Sequence, residues 1–173
     1  MKKLFATTIL ISILFVLQTN AQGLFLKIGG TGVGGSLVIQ GDVVTPASHA
    51  NEIEINSYQE GTGAGCTLAG DCSPAIQSEL TVTTMLDKSF MPLRQALLNH
   101  TIFNLKVTQV TTGVDNLIIN LDDAIITGIS ESSGGDKPSI SISISSPKWQ
   151  HKYMPTNTIY GWNFLTNMAY ARP

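Results

Sequence analysis

The sequence predicts a mainly β protein, a compact domain whose strands close into a barrel or pack as a sandwich, with one α-helix at its side. Three observations predict it. Residues 139–145, "SISISIS", alternate without interruption, and a strand sends successive side chains to opposite faces. Similar alternation recurs between turn signals along the chain, at the spacing of an all-β domain. A single segment, "DKSFMPLRQALLNH", carries helical periodicity.

The first element lies outside that domain. Lys2 and Lys3 precede the uncharged run "LFATTILISILFVL", and "QTNA" places small residues at Thr19 and Ala21. This is the order of a secretory signal peptide, residues 1–21, with cleavage expected after Ala21. The apolar run is short for a spanning helix, which needs about 20 residues. An uncleaved N-terminal anchor is the alternative. No cysteine stands at the junction to accept a lipid. The mature chain, residues 22–173, is expected to be one exported domain, periplasmic or extracellular, with no membrane attachment after cleavage.

Removing the two lysines of the leader leaves eight basic against twelve acidic side chains, a net charge of −4. No basic patch marks a nucleic-acid partner. Apolar content of 43% is too high for disorder.

Along the mature chain, "GLFLKIGG" reads as a first strand stopped by glycines, and "TGVGGSLVIQGDVVTPASHA" as a loop with a short hairpin arm. In "NEIEINSYQ", Ile53 and Ile55 share one face and Glu52 and Glu54 the other. The glycine-rich "EGTGAGCTLAGDCSPAI" is a long excursion, and such segments in compact domains are functional or mobile. In "QSELTVTTMLD", Leu80, Val82 and Thr84 are in phase. The helix spans about residues 89–99, with Ser89 or Asp87 as its cap and Pro92 in the first turn. Phe90, Leu93 and Leu97 form its apolar stripe, with Met91 and Ala96 beside them. Four further strand segments follow: "TIFNLKVTQV", "DNLIINLDDAIITGISES", Ser139–Tyr153 and "TIYGWNFLTNMAY".

In the Ser139–Tyr153 segment, Ile140, Ile142 and Ile144 would face the core and Ser141, Ser143 and Ser145 a wet surface. Serine is short and neutral, an unusual choice for a whole polar face. Cys66 and Cys72 are the two cysteines. In an oxidising compartment a local disulfide is the default reading, and a free thiol pair the alternative. Its small loop would contribute about 2 kcal/mol.

Catalytic chemistry finds no residues to carry it, so no enzyme activity and no cofactor or metal is expected. His49, His100 and His151 show no ligand spacing. Asp122 and Asp123 are adjacent, so a strand points them to opposite faces. No serine sits in a nucleophile elbow. "GGTGVGG" lacks the lysine and helix of a phosphate cradle and reads as turns. "NHT" at Asn99 matches a glycosylation sequon by chance.

Five stretches, in order, resemble the Hcp family, the haemolysin-coregulated proteins of type VI secretion. They are "FLKIGG", "HANEIEINSYQEG", "LTVTTMLDKSFMPLRQALLNH", "LDDAIITGISESSGGDKPSISISISSPKWQHKYMP" and "YGWNFLTNMAY". The resemblance implies a small β-barrel of two sheets with one helix packed at its side. It implies homo-hexameric rings that stack into a hollow tube and leave the cell with cargo effectors and other tube components. Ser141, Ser143 and Ser145 would then line a lumen or ring interface; on a lone barrel the same residues are a solvent face. The excursion carrying Glu60, Gly61, Gly63, Gly65, Gly70 and Asp71 would be the ring-stacking loop. A secretory leader is not the route by which a type VI tube leaves the cell. Two histories follow: a tube-like protein assembled outside the cytoplasm, or an exported barrel reused for binding or adhesion.

Overall fold

The computed structural model describes residues 22–172. The signal-peptide segment, residues 1–21, lies outside the described residues. Among the described residues are eleven strands and one α-helix: β1 Gly23–Ile28, β2 Ile53–Gln59, β3 Thr62–Gly63, β4 Ile76–Gln77, β5 Leu80–Met85, α1 Phe90–Leu98, β6 Phe103–Thr111, β7 Val114–Ser132, β8 Ser139–Ser145, β9 Lys148–Tyr153, β10 Thr158–Asn163 and β11 Met168–Ala169. One nine-stranded sheet runs β11-β10-β9-β7-β6-β1-β2-β5-β8, and β7 also pairs with β8. That second pairing closes six strands into the predicted barrel. All its pairings are antiparallel.

The barrel is filled by the apolar residues the alternation selects. Leu26, Ile28, Ile53, Leu80, Val82, Leu105, Val107, Ile140, Ile142 and Ile144 are all buried in one cluster. Thr84 keeps phase with Leu80 and Val82 and is buried, donating its hydroxyl proton to the Glu54 carbonyl at 2.6 Å. A buried hydroxyl needs such a partner.

β7 is long because it serves two sheets. Its first half lies between β6 and β9, and its second half pairs with β8. The halves meet at Asp122 and Asp123. There Phe103↔Ala124 is followed by Leu105↔Leu121, so β7 carries one extra residue, and Asp123 sits at φ 56°. This bulge turns the strand out of one sheet into the other. The single strand expected over Ser139–Tyr153 is two strands, β8 and β9, which lie end to end along β7 and break at Ser146 and Pro147. Proline has no N–H for the ladder. The last segment likewise forms two strands, β10 and β11.

Helix α1 buries Phe90, Leu93 and Ala96 against the core, with Leu97 half-buried; Met91 faces out. Of the two expected caps, Asp87 is the acceptor. Its carboxylate takes the Ser89 backbone N–H at 2.9 Å and the Ser89 hydroxyl, so the Ser89 side chain caps nothing itself. The helix stops in a Schellman motif. His100 at φ 48° donates its N–H to the Leu97 carbonyl, and Thr101 donates to that of Ala96.

Residues 36–52 contain no regular strand, but Gly41 and Val43 donate their N–H groups to the Asn51 and Glu52 carbonyls and Asn51 donates to that of Val43, folding the segment back on itself as a short hairpin-like loop. They strap the barrel's outer wall, touching β1 through an Ile39–Ile28 bridge and ending in a 3-10 turn, Ala47–His49.

Candidate functional site

The feature to explain is the outer face of the sheet β2-β5-β8-β7. Ser141 of β8 lies opposite Thr83 of β5 and Ser130 of β7; Ser143 lies opposite Thr81 and Gly128. On β2, Ser57 lies opposite Thr83 and Gln59 opposite Thr81, and the Ser57 and Thr83 hydroxyls are 2.6 Å apart. Two rows therefore cross four strands: Ser57–Thr83–Ser141–Ser130 and Gln59–Thr81–Ser143–Gly128. None of these eight residues is ionisable. Ser145 continues the face opposite Ile125. All three expected serines share this surface, each half-buried among its neighbours. Thr81, Thr83, Ser57 and Ser130 belong to it as well. Thr81 and Thr83 were findable from the Leu80–Val82 alternation; the cross-strand register that assembles the rows was not.

This sheet is incomplete at both edges. β1 pairs with β2 only over Ile53–Ile55, and β6 reaches along β7 only to Ala124. Ser57–Gln59 and Ile125–Ser132 thus have a backbone partner on one side only, among the described residues. Where β2 leaves β1 a cleft of about 430 Å³ opens, lined by Gly23, Leu24, Asn56, Tyr58 and Gln109. The two terminal strands of the four-stranded sheet run in opposite directions, since each of the three pairings between them is antiparallel.

The expected stacking excursion is an arm standing off the barrel. β3 and β4 pair through Thr62↔Gln77 and Gly63↔Ile76, and the ribbon continues through Ser73 N–H to the Gly65 carbonyl at 2.7 Å. Cys66 and Cys72 are joined by a disulfide. Thr67 N–H to the Asp71 carbonyl and Gly70 N–H to the Thr67 carbonyl close the tip. Gly70 adopts φ 91°, which glycine tolerates. Gly61, Gly63, Gly65, Gly70 and Asp71 are exposed, and Leu68 at the tip has no packing at all. Glu60 alone of that group belongs to the barrel. Its carboxylate meets His151 Nε2 at 2.5 Å on β9, and it also lifts the Tyr58 hydroxyl pKa, an effect secondary to burial.

Two further clusters serve structure. His49 is buried, stacked on Phe25 at 4.3 Å, with Nδ1 2.8 Å from Glu52 and Nε2 3.2 Å from Asp115. Glu52, expected to share a face with Glu54 opposite Ile53 and Ile55, is buried by this strap, while Glu54 is exposed. Asp122, also buried, accepts from the Tyr170 hydroxyl at 2.7 Å and pairs with Arg172 at 2.6 Å. Burial, then the bond to Asp122, pushes the Tyr170 pKa up to about 12. Asp123 meets Lys148 at 2.5 Å, and that bond raises the Lys148 pKa. The adjacent aspartates have separate partners but do not alternate as a regular strand would place them: Asp123 sits in the bulge, and both line one cleft with Lys148, Tyr170 and Arg172. Among the described residues no group of three or more His, Cys, Asp or Glu could hold a metal ion. No helix there is long and apolar enough to cross a membrane.

Comparison with known proteins bears on the same fold. No curated protein matches the chain. Solved structures match it over nearly their full lengths. One described as a type six secretion system protein is 19% identical, with 87% of this chain and 100% of that one covered at a TM-score of 0.75. Hcp1 from Salmonella typhimurium is 16% identical, covering 86% and 99% at 0.69. A type VI secretion system effector from Yersinia pestis is 22% identical, covering 82% and 98% at 0.65. At these identities the likeness establishes the fold. The family follows from the profile described as "Type VI secretion system effector, Hcp", which matches residues 25–153, from β1 to the end of β9. The barrel, its side helix and that match agree: the chain belongs to the Hcp family of type VI secretion proteins.

Proposed function

We propose that the mature chain, residues 22–173, is a structural protein that assembles head to tail into six-membered rings, which stack into a hollow tube for cargo effectors. The observation that carries this reading is the neutral hydroxyl face on a sheet left open at both edges. The free edge of β7 in one copy and that of β2 in the next run in opposite senses, so joining them continues an antiparallel ladder. Such a contact uses two different patches of each subunit, the kind that closes into a ring. Exposed strand edges on a monomer are an aggregation liability, and a ring removes them. The hydroxyl rows then face the lumen, where a surface without charge stays wet and grips no cargo through ion pairs. The arm at Gly61–Pro74 reaches from ring to ring. The leader at residues 1–21 puts assembly outside the cytoplasm, in the periplasm or beyond. The partners are further copies of the chain, cargo and other tube components, with no nucleic acid and no membrane.

The native mass of residues 22–173, measured by light scattering without reductant, tests this. A six-subunit mass supports the ring. A monomer stable across concentration overturns it and leaves a barrel reused for binding or adhesion. Ser143→Trp, which places an indole between Thr81 and Gly128, should hinder ring formation or cargo uptake; unchanged assembly and uptake would remove Ser143 from the lumen.

A further inference from the structure

The arm's construction points to redox control: we propose that oxidation of Cys66 and Cys72 commits rings to stacking. The inference rests on the tube reading and adds its regulation. Every residue from Gly61 to Pro74 is exposed. The arm has two strands of two residues each, and an isolated two-stranded ribbon is marginal in water. Beyond Gly63↔Ile76 the ladder skips a rung, since Pro74 has no N–H to donate. The distal half keeps only the backbone bonds of Ser73, Thr67 and Gly70, with Ser73 Oγ accepting from Gly65 N–H and Thr67 Oγ1 from Asp71 N–H. Leu68 has no apolar contact to add. The disulfide sits between the Gly65–Ser73 and Thr67–Asp71 rungs, where one covalent tie holds both.

The chemistry is thiol–disulfide exchange. The two thiols release two protons and pass two electrons to a disulfide-class oxidant, which leaves as a dithiol, and one S–S bond forms between Cys66 and Cys72. A dithiol such as dithiothreitol reverses it. Both cysteines are exposed, so either reagent reaches them. In a reducing cytoplasm the pair stays as thiols and the arm stays loose. Outside the cytoplasm, where the rings form, stacking then waits for the oxidant rather than for ring closure. The edge-to-edge ring contact involves neither cysteine, so single rings need no oxidation.

The experiment compares residues 22–173 oxidised, treated with dithiothreitol, and as Cys66→Ser/Cys72→Ser. Sedimentation and negative-stain microscopy read assembly, and amide hydrogen exchange reads the arm. Oxidised chain should give stacked rings. The reduced chain and the double variant should give single rings, with the Thr67, Gly70 and Ser73 amides exchanging about 30-fold faster, the worth of so short a loop. Amides of Ile142 and Ile144 should not change, showing an intact barrel. Unchanged arm exchange, or a loosened arm with stacks intact, overturns redox control and leaves the ring. Monomers in every state, with β8 protected, overturn the ring reading and redox control with it.

Discussion

Replacing Ile142 by alanine should cost the barrel about 4 kcal/mol, while Ser143→Ala beside it should cost almost nothing. Ile142 is fully buried, between Val82 of β5 and Ile129 of β7. Three carbons leave the core, worth about 2.4 kcal/mol of transfer free energy at ~0.8 per carbon. The hole they leave, ~60 Å³ if the walls do not collapse, adds about 1.4 kcal/mol. Strands on both sides of β8 hydrogen-bond to it, so little collapse is expected. Ser143 faces outward and makes no side-chain hydrogen bond within the barrel, so its change should stay within about 0.5 kcal/mol. Urea unfolding followed by tryptophan fluorescence reads both, at one low protein concentration so that assembly does not enter. The midpoint of Ile142→Ala should fall with the slope unchanged. Equal costs for the two variants, or an Ile142→Ala cost below about 1 kcal/mol, would refute the assignment of faces on β8.

Three other expectations follow from described contacts. His49→Ala leaves Glu52 buried without its partner and should cost about 2–3 kcal/mol, with faster proteolysis in the strap at residues 42–48; an unchanged digest would argue that the strap is held elsewhere. In Gly161→Ala the new Cβ would lie 2.5 Å from the Tyr170 carbonyl oxygen and 2.7 Å from that of Trp149, so a destabilisation of about 1–3 kcal/mol is expected, seen as a lowered urea midpoint. The Tyr170 pKa rises on folding from 10.0 to about 12, so its contribution is complete below pH 10 and lost as the pH climbs to 12. Solvent screening keeps that contribution below about 1 kcal/mol. Tyr170→Phe should therefore flatten the fall of melting temperature over pH 10–12, and an identical slope would place the alkaline sensitivity in other groups.

The parts of the fold legible in the sequence were those with a period. Ile140, Ile142 and Ile144, and Leu80, Val82 and Thr84, lie on the predicted face because an interior on one side and water on the other fix the phase of a strand. Helix α1 was visible through Phe90 and Leu93. What periodicity cannot carry is the pairing partner. Glu52 and Glu54 look equivalent in "NEIEIN", yet one is buried, because His49, three residues upstream, folds back onto Glu52 and is itself held by Asp115 from β7. The break between β8 and β9 follows from the bulge at Asp123, a three-dimensional bend that Pro147 only hints at. For the candidate surface, the serines announced themselves, while the rows they form with Ser57, Thr81, Thr83 and Ser130 required the register. The open edges of β2 and β7 were not visible at all, since an unpaired strand reads like a paired one.

The strand order has a kinetic consequence. β1 is the first strand made, yet one of its two neighbours is β6, and Leu26 pairs with Val107 some eighty residues later. β5 likewise waits for β8, bringing Thr83 to Ser141, whereas β7 and β8 form a local hairpin with Ser132 opposite Ser139. Contacts so distant along the chain make folding slow, because each loop must be closed before its contacts stabilise it. A nascent chain of this topology cannot complete its barrel until nearly all of it exists. Until β8 exists its strands can pair only in part, and the barrel stays open between β5 and β7.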